Sequence, residues 1–547
     1  MLWVGLLLAL HFALALWVAT KNSVSFDENF HLPAGVVALT RGDFTSSYAQ
    51  PPLARELCGA AALAAGARLP DPASEAPGDE RRLGESFMRR NADRFTRVFM
   101  AGRAVVALMS VMLAWLLWRL ATRWYGARAG LLALAAWTFA PEALAHASVV
   151  GVDMPTALTG FGAVIAGHAW LRTGRWRAWA ASAAWIAAAF LVRFSAVQLL
   201  LVLVVLAALL AWRGRLASAP RTVLGLALLG VVALLAVNVG YRFTGTGAAL
   251  RTVPFNSANF QALAHRFPGL PLVLPRGYVQ GLDYLSYLSE PGRKVSYFLG
   301  RMREGPDWRY FPVALAAKWP LGLLALVVAR IAHVTLTRRA RFDREIALLV
   351  PAGAVLLTAM STNLDYGLRY VLPMLPYVCV WVAGLASAGG TRRAVSPVWA
   401  RLAVVLVALE AAESVRALPY PLAFFNLAAG GPGRGDRIVN DSNVDWGQGL
   451  LALKAEMRAR GIDHVQMLYH GTTDPAIYGI RYLPYIDGKL DPETEYIAVS
   501  SYFLVGLPAR VVTPHGYSET LRFGFGPLLD RVPDARPAGC MYLFKVR

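Results

Sequence analysis

The hydropathy pattern of this chain consists of long apolar stretches separated by polar ones. Several stretches have few or no charges over roughly 20 residues, the length that an α-helix needs to cross the hydrocarbon core of a bilayer. The pattern predicts about eleven membrane-spanning helices. They are expected at residues 2–20, 98–118, 129–147, 154–171, 178–192, 195–212, 222–241, 311–330, 345–361, 370–389 and 402–417. The fifth is short and closely joined to the sixth, and the membrane face of every later segment depends on whether it crosses.

The connections between these helices alternate in charge, and this alternation orients the chain. Loops near 148–153 and 362–368 contain no Lys or Arg, whereas the connections of the other set are rich in arginine. Because short basic loops stay on the cytoplasmic side, the polar segments 21–97, 242–310 and 418–547 are predicted to lie outside. The cytoplasmic set comprises Arg119, Arg123, Arg128, Arg172, Arg175, Arg177, Arg213, Arg215, Arg221, Arg330, Arg338, Arg339, Arg341, Arg344, Arg392, Arg393 and Arg401.

Within the first outer loop, the apolar run 53–69 is interrupted by Arg55 and Glu56. A span there would break the charge alternation, so the run is predicted to form a helix that lies in the membrane interface.

The segment after about residue 418 changes character. It carries short alternating runs, at 464–469 and 496–500, with Gly, Pro and Asp between them. Such alternation is typical of β-strands and predicts a small water-soluble α/β domain. We therefore expect a membrane module over 1–417 and an outer α/β domain over 418–547.

The composition favours a membrane protein over a soluble one. Of 547 residues, 56% are hydrophobic and 16% are charged, against roughly a quarter charged in soluble domains. The net charge of +20 would suit nucleic acid or anionic lipid. Much of the excess is arginine that flanks apolar spans, however, so membrane lipids are the expected surroundings and nucleic acid is not an expected partner.

Three acids at the outer ends of spans are candidates for chemistry. Asp27 and Glu28 follow directly after the first span, and Asp153 is the one acid in its short outer loop. Carboxylates at a membrane edge suit a general base, a metal ligand or a cation site. The same residues also suit helix caps, as Pro155 after Asp153 indicates. His146 lies in the same stretch as Asp153 and has the same two interpretations, structural or functional.

Basic residues at comparable depth are candidates for binding an anion. Arg193, Lys318 and Arg369 lie within or at the outer ends of spans, where a cation needs an acid, the interface or an anionic ligand. Phosphate is a natural partner. The outer loop 242–310 has nine basic residues against four acids, an excess that an anionic lipid substrate or a solvated surface would explain. The basic nine are Arg242, Arg251, Arg266, Arg276, Arg293, Lys294, Arg301, Arg303 and Arg309.

Common phosphate-loop, dinucleotide-binding, zinc-protease and nucleophile-elbow motifs do not occur in a fitting context. The three cysteines do not have metal-ligand spacing either. The sequence therefore predicts no metal site.

The ordered motifs resemble those of bacterial GT-C glycosyltransferases that depend on polyprenyl phosphate. These enzymes are related to protein O-mannosyltransferases and to the aminoarabinose transferase of lipid A. Asp27-Glu28 with the His-Leu-Pro-Ala-Gly run from His31 is similar to the family's acidic signature, and Asp153 to its second acid. Gln50-Pro-Pro-Leu is similar to the family's His-Pro-Pro-Leu, with Gln in place of His, which leaves the role of that position open.

Further segments extend the resemblance over nearly the whole chain. They are Trp308-Arg-Tyr-Phe-Pro-Val-Ala-Leu with Lys318-Trp-Pro, Gly367-Leu-Arg-Tyr-Val-Leu-Pro, Ala423-Phe-Phe-Asn-Leu-Ala-Ala-Gly-Gly-Pro and Asp441-Ser-Asn-Val-Asp-Trp-Gly-Gln. The last two are similar to the entry of the soluble domain in one branch of the family.

The resemblance implies a mostly α, polytopic bundle of GT-C type with a small extracytoplasmic α/β domain, in a bacterial inner membrane. It implies transfer of a hexose or pentose from a polyprenyl-phosphate-linked sugar to a hydroxyl of a glycolipid, polymer or protein, with inversion. Asp27, Glu28 and Asp153 would be catalytic. His146, Arg193, Tyr310, Lys318 and Arg369 would bind substrate. A divalent cation stays open as a cofactor.

Two other functions fit the same residues. A lipid or solute transporter would have many spans, a basic outer loop and membrane-edge acids, but it would more often show repeats or helices broken by Gly or Pro, and none is predicted here. A non-catalytic scaffold would use the C-terminal domain as its binding module.

Overall fold

The computed structural model describes residues 1–74, 77–291, 295–338, 341–362, 365–387, 397–485, 489–513, 516–521, 528 and 531–547. Five of the basic residues counted in the sequence lie outside these ranges. They are Arg293, Lys294, Arg339, Arg392 and Arg393.

Helices make up most of the described chain before residue 418. They are α1 (Leu2–Lys21), α2 (Glu28–Arg41), α3 (Leu53–Ala64), α4 (Glu80–Arg90), α5 (Phe95–Tyr125), α6 (Ala127–Thr138), α7 (Pro141–Ala147), α8 (Asp153–Thr173), α9 (Trp176–Phe190), α10 (Val197–Trp212), α11 (Ala219–Gly240), α12 (Ala258–Arg266), α13 (Arg276–Leu288), α14 (Tyr310–Lys318), α15 (Leu321–Thr337), α16 (Phe342–Met360), α17 (Leu375–Ala383) and α18 (Pro397–Ala417). Strands β1 (Val295–Phe298) and β2 (Arg301–Glu304) form an antiparallel hairpin in the outer loop.

Helical structure occupies each segment that the sequence predicts to span the membrane. Among the described residues, α1, α5, α11 and the helix Phe194–Trp212, which includes α10, are long and apolar enough to cross a bilayer. The bent pair α14 and α15 would add a fifth. The chain is therefore a multi-pass membrane protein, and the total of eleven crossings stays a prediction.

Two predicted spans are not straight helices, and both break before a proline. Segment 311–330 bends by 111° between α14 and α15, at Trp319-Pro320. Segment 129–147 divides between α6 and α7, just before Pro141. The ring of a proline pushes the residue before it into extended backbone, and Trp319 and Ala140 are both extended. Proline therefore breaks the helix in two of the predicted spans, and the sequence carried the signal.

Helices α2 and α3 pack so closely that their backbones touch. A Cβ on Gly35 would overlap the carbonyl group of Arg55, and one on Gly59 would lie 2.7 Å from the carbonyl carbon of Gly35. Glycine is the residue that allows such an approach. The contact holds α2 against α3, the helix predicted over 53–69, and so fixes the position of the loop before α2.

The C-terminal part has the predicted α/β character. Its elements are α19 (Leu450–Arg460), β3 (His464–Leu468), β4 (Arg481–Pro484), β5 (Tyr496–Ser500), α20 (Ser501–Leu504), β6 (Ala509–Thr513), β7 (Gly516–Leu521) and β8 (Met541–Lys545). Four of the strands form a sheet in the order β4-β3-β5-β8. Strand β3 pairs in parallel with β4 and β5, and β5 pairs antiparallel with β8. The strands predicted at 464–469 and 496–500 are confirmed as β3 and β5.

The C-terminal part packs directly onto the helices. Buried Val439, Val444 and Leu450 belong to the same apolar cluster as residues of the helical part. A division at 417 and 418 stays a prediction, and the packing continues across it.

Candidate active site

The first predicted acid, Asp27, lies just before α2 and pairs with an arginine from a distant part of the chain. Nη1 of Arg369 lies 2.6 Å from Oδ2 of Asp27. The Asp27 side chain is 25% exposed, and among the described residues only its Oδ2 accepts a hydrogen bond. Asp27 is therefore a carboxylate that is anchored at one oxygen and open at the other.

The second predicted acid, Asp153, begins α8 and forms a similar pair. Nη1 of Arg193 donates to its Oδ1 at 2.6 Å, and Nδ1 of His146 lies 3.9 Å from its Oδ2. The Asp153 residue is only 4% exposed. His146 also approaches Glu142, with Nε2 3.5 Å from Oε2. The structure thus joins the predicted residues Asp153, Arg193 and His146 in one buried cluster.

The aromatic ring of Tyr370 links the two acid–arginine pairs. The guanidinium of Arg193 lies 4.9 Å from the ring centre and that of Arg369 lies 5.5 Å from it. Arg369 also lies 4.6 Å from the ring of Trp446. Cation–ring contacts of this kind hold a guanidinium in place without neutralising its charge. The five side chains form one site, which we call the double-pair site: Asp27, Arg369, Tyr370, Arg193 and Asp153.

His31, one turn into α2, adjoins the double-pair site. Burial lowers the pKa of His31 to about 4, with Asp27 raising it and Arg55 lowering it as smaller effects. Its Nδ1 is buried without a hydrogen-bond partner. At neutral pH the imidazole is therefore uncharged, and its Nδ1 is available to form one hydrogen bond with a ligand.

An apolar cleft of about 130 Å³ opens beside Arg193 and Tyr370. Residues of α8, α10, α13 and α16 line it, with Gln50 and Gln198 as polar members. The side-chain oxygens of both glutamines are buried without a hydrogen-bond partner. A smaller cavity of about 30 Å³ shares Arg193 and Gln198 and extends to Tyr377. The cleft therefore continues from the charged site into the apolar helices.

Gln50, the departure from the family motif, is held in this cleft by its neighbours. The guanidinium of Arg55 donates to the carbonyl oxygen of Gln50, and also to Oγ of Ser47. Glu80 accepts from Ser47 and from the backbone N–H of Ala49 at 3.1 Å. The loop is thus fixed by buried polar contacts, which leave the Gln50 side chain directed into the cleft.

Glu28, predicted as catalytic, is placed in a structural position. It is fully buried, and Arg103 donates to both of its oxygens, at 2.8 and 2.7 Å. The backbone N–H groups of Ser25 and Val150 fill the remaining acceptor positions. A carboxylate with every acceptor position filled has none left for a substrate proton. This geometry favours a structural role for Glu28, and its catalytic role stays a prediction.

Lys318, predicted as a phosphate ligand, is also enclosed by protein. Its ammonium group donates to the carbonyl oxygens of Leu422 and Asn443 and lies 3.5 Å from Glu142. The residue has no exposed surface. Lys318 ends α14, so these contacts fix the bend before α15 against the C-terminal part. These contacts favour a structural role for Lys318, and its binding of substrate stays a prediction.

Tyr310, the other predicted ligand on α14, is 1% exposed. Its hydroxyl accepts from Nδ2 of Asn443 at 2.8 Å, and its ring packs on Phe298 and Phe311. Tyr310 therefore supports the segment around Asn443, and its hydroxyl hydrogen-bonds to that segment.

The segment 441–448 connects the C-terminal part to the double-pair site. Asn443 accepts from the backbone N–H of Leu368 at 3.0 Å, and Ser442 donates to the carbonyl oxygen of Tyr366. Between them Gly367 has φ +145°, and a Cβ there would lie 2.8 Å from Oγ of Ser442. These contacts fix the turn that presents Arg369. Glycine is required at this position because other residues rarely adopt that backbone.

The same segment holds the loop that carries Asp27. The backbone N–H of Phe26 donates to the carbonyl oxygen of Trp446 at 2.7 Å, and that of Ser23 to Gln448 at 3.1 Å. Farther along the chain, Thr472 donates to the carbonyl oxygen of Phe26 at 2.9 Å. Both Asp27 and Arg369 are therefore positioned by the C-terminal part.

Sequence reasoning missed Tyr370 of the double-pair site and the neighbouring residues Trp446, against Arg369, and Gln198, in the cleft. The first two lie inside quoted motifs, Gly367-Leu-Arg-Tyr and Asp-Trp-Gly-Gln, so their signal was present without an assigned role. Gln198, inside an apolar span, carried the signal of a polar residue at membrane depth.

Within the described ranges, His, Cys, Asp and Glu do not gather in a group of three that could hold a metal ion. A requirement for a divalent cation stays untested.

A family model described as dolichyl-phosphate-mannose-protein mannosyltransferase matches residues 94–241. This stretch runs from α5 through α11. It contains Asp153, His146 and Arg193 of the buried cluster. The curated proteins contain no match to this chain.

Solved structures of two proteins are similar at low identity. ArnT from Cupriavidus metallidurans bound to undecaprenyl phosphate is 15% identical with a TM-score of 0.43, over 99% of this chain and 97% of that chain. Its apo state is 16% identical with the same TM-score and coverage. The oligosaccharyltransferase of Archaeoglobus fulgidus in complex with Zn and sulfate is 12% identical with a TM-score of 0.40, over 94% of this chain and 73% of that chain.

The family model covers the region where the sequence motifs place the second acid. The match confirms the resemblance that those motifs indicate: over residues 94–241 this mostly helical membrane protein is similar to the dolichyl-phosphate-mannose-protein mannosyltransferase family.

Proposed function

We propose that this protein transfers a sugar from a polyprenyl-phosphate donor to an acceptor hydroxyl on the extracytoplasmic face of a bacterial inner membrane. One observation carries the proposal. Two carboxylate–arginine pairs flank Tyr370 at the mouth of an apolar cleft. Transfer from a lipid-linked sugar needs cations that bind the phosphate, an apolar path for the polyprenyl chain and a carboxylate that takes the proton of the acceptor hydroxyl.

The donor phosphate would lie against Arg193 and Arg369. Guanidinium groups form strong, directional hydrogen bonds with phosphate oxygens. The polyprenyl chain would follow the apolar cleft between α8, α10 and α16. The side-chain oxygens of Gln50 and Gln198, which are buried without hydrogen-bond partners, would accept hydrogen bonds from the polar end of the donor. The family model supports this assignment because its name describes a sugar carried on a lipid phosphate.

Asp27 would act as the general base. The acceptor oxygen forms a bond to the anomeric carbon while its proton passes to the open oxygen of Asp27. The bond from the anomeric carbon to the phosphate oxygen breaks, and its electron pair leaves with polyprenyl phosphate. A single displacement of this kind inverts the anomeric centre and needs no covalent enzyme intermediate.

The ion pairs give the site a means of responding to the donor. When phosphate engages Arg369, the hold of that arginine on Asp27 weakens, which frees the carboxylate to receive the acceptor's proton. Arg193 and Arg369 then face a leaving group whose negative charge grows as the bond breaks, so they stabilise the transition state more than the ground state. Asp153 would orient Arg193 from its buried position.

The test is sugar transfer in proteoliposomes that contain undecaprenyl-phosphate sugars with a radiolabelled sugar group. Asp27→Asn is expected to lower kcat by about 10²- to 10⁴-fold, the usual contribution of a general base. Asp153→Asn is expected to raise KM for the donor more than it lowers kcat. The matched control is Asp463→Asn, which removes an exposed carboxylate that pairs with Arg481 and should leave transfer unchanged.

Wild-type transfer by both Asp27→Asn and Asp153→Asn would overturn the roles given to these two acids, and absence of transfer by the wild type with every donor and acceptor would overturn the proposed function. Mass spectrometry of co-purified lipid on the wild type would name the sugar, and transfer to glycolipid, polymer and peptide hydroxyls would name the acceptor class.

A transporter draws support from the bent pair α14 and α15, because broken helices are frequent in transporters. The bend, however, is fixed by Lys318 against carbonyl oxygens of the C-terminal part. Movement of a labelled lipid between the two leaflets of the proteoliposome bilayer, without sugar transfer, would favour a transporter over a glycosyltransferase.

A further inference from the structure

A second cavity, larger than the cleft at the double-pair site, lies in the C-terminal part. Its volume is about 790 Å³, within the range typical of small-molecule sites. The segment 433–437, the turn of the β1–β2 hairpin and the segment 531–542 line it. Four of the lining residues are arginines: Arg434, Arg437, Arg531 and Arg536.

A buried carboxylate forms part of the same wall. Asp436 is 4% exposed, and the hydroxyl of Tyr542 donates to its Oδ2. Its Oδ1 is buried without a hydrogen-bond partner. Burial raises the pKa of Asp436 to about 6, against smaller lowering effects of Arg536 and Arg437. A buried acceptor left unpaired is costly, and a ligand hydroxyl would satisfy it.

Arg536 is held in place before any ligand arrives. Its Nη1 donates to the carbonyl oxygen of Gly433 at 2.7 Å, and its guanidinium lies 4.4 Å from the ring centre of Tyr542. Tyr542 therefore touches both Arg536 and Asp436. The cavity presents fixed cationic donors and one fixed acceptor, which together match a ligand that carries an anionic group and a hydroxyl.

We propose that this cavity binds a phosphorylated sugar, with the phosphate against the arginines and a sugar hydroxyl donating to Asp436. Guanidinium groups suit phosphate, and the carboxylate distinguishes a sugar phosphate from inorganic phosphate. The ligand could be a soluble sugar phosphate or the headgroup of a glycolipid, since both present the same chemistry.

The cavity is connected to the double-pair site by a short stretch of backbone. Asn440 donates to the carbonyl oxygen of Asp436 at 3.3 Å, and Asn443, three residues on, accepts from Leu368 beside Arg369. Asn443 lies seven positions after Asp436, which is at most about 25 Å of extended chain. The cavity is thus close enough to the double-pair site to hold one end of an acceptor. This acceptor role rests on the proposed transferase function, whereas the binding of a sugar phosphate does not.

The experiment is calorimetric titration of the detergent-solubilised full chain with glucose 1-phosphate, inorganic phosphate and glucose. Glucose 1-phosphate is expected to bind at least tenfold more tightly than inorganic phosphate, and glucose is expected to give no measurable binding. The double variant Arg434→Gln/Arg437→Gln should raise Kd for glucose 1-phosphate at least tenfold. Arg458→Gln, at an exposed arginine of α19 outside the cavity lining, should leave Kd unchanged.

Asp436→Asn separates a sugar site from a simple phosphate site, because it should reduce the preference for glucose 1-phosphate over inorganic phosphate. Equal Kd values for the wild type and the double variant, or no binding of glucose 1-phosphate at millimolar concentration, would overturn the proposal. Asp27→Asn should bind glucose 1-phosphate as the wild type does, whether or not it transfers sugar. Loss of binding in that variant would place the ligand in the double-pair site and overturn the assignment.

Nanodiscs distinguish the two ligand sources. Weaker binding of glucose 1-phosphate in nanodiscs that contain a phosphorylated glycolipid than in phosphatidylglycerol nanodiscs of equal charge density would indicate competition by the glycolipid headgroup, and equal binding would indicate a soluble sugar phosphate.

Discussion

Asp27 and Glu28 are neighbours in the chain, and both pair with an arginine, yet their surroundings differ in every other respect. Glu28 is fully buried, and four donors fill both of its oxygens. Asp27 is a quarter exposed and is held through one oxygen. The helix start of α2 separates them, since Asp27 lies just before it and Glu28 is its first residue.

This difference shows what distinguishes a structural ion pair from a candidate site. Arg103 uses its remaining N–H groups on the carbonyl oxygens of Ala19, Asn22 and Ser23, so the Glu28 pair joins the end of α1 to α2 with no donor left for a ligand. The cation of Arg369 instead rests on the faces of Tyr370 and Trp446. Faces of aromatic rings stabilise a cation while leaving its N–H groups available.

The largest loss of stability should come from breaking the ion pair between Glu28 and Arg103. Glu28→Gln leaves a buried cation uncompensated, which costs about 3–5 kcal/mol of stability. Asp27→Asn should cost less than half as much, because its pair is partly exposed. Thermal unfolding of the purified variants, followed by tryptophan fluorescence, measures the difference.

The double variant Glu28→Leu/Arg103→Met sharpens this measurement. Removing both charges together avoids a lone buried charge, so part of the lost stability should return. Recovery should be incomplete, because the N–H groups of Ser25 and Val150 lose their acceptor. Equal losses in Glu28→Gln and Asp27→Asn would contradict the contrast between the two acids.

The next largest effect should fall on catalysis. Arg369→Lys keeps the charge but loses the planar contacts with Trp446 and Tyr370, and it cannot hold Asp27 and phosphate at once. We expect kcat for sugar transfer to fall about 10²-fold, with a stability loss smaller than that of Glu28→Gln. Arg481→Lys, at an exposed pair with Asp463, is the control. Activity of Arg369→Lys within threefold of the wild type would remove Arg369 from the proposed mechanism.

The smallest expected effect is a change of stability with pH, and it comes from the buried carboxyl of Asp445. Asp445 is fully buried, accepts from Ser500 and from the N–H of Gly447, and has no basic side chain at ion-pair distance among the described residues. Burial raises the pKa of Asp445 from 3.8 to about 7, with the hydrogen bond from Ser500 lowering it in part. At a pH between 3.8 and about 7, the Asp445 carboxyl is therefore protonated in the folded chain and ionised in the unfolded chain.

Stability from Asp445 should therefore decrease as the pH rises through this window. Relative to Asp445→Asn, the Tm of the wild type should fall between pH 5 and pH 8. A constant difference in Tm across that range would show that Asp445 does not titrate as its burial indicates.

Much of the site was predictable because local sequence placed its members at the outer ends of spans. Asp27, Asp153, Arg193 and Arg369 were identified in this way, and the structure brings them together at the double-pair site. Lys318 and Tyr310 were identified by the same signal and turned out to be enclosed by the C-terminal part. The signal of a charge at a span end does not reveal whether protein or ligand will neutralise it.

The sequence by itself determined the helices, the strands β3 and β5, and the prolines at which two spans break, because these depend on short-range periodicity and on backbone sterics. The tertiary structure decided which of two adjacent acids is open. Arg103 lies 75 residues from Glu28, and Arg369 lies 342 residues from Asp27. Pairing over such separations depends on how the helices pack and on where the segment 441–448 docks, and no local pattern encodes either.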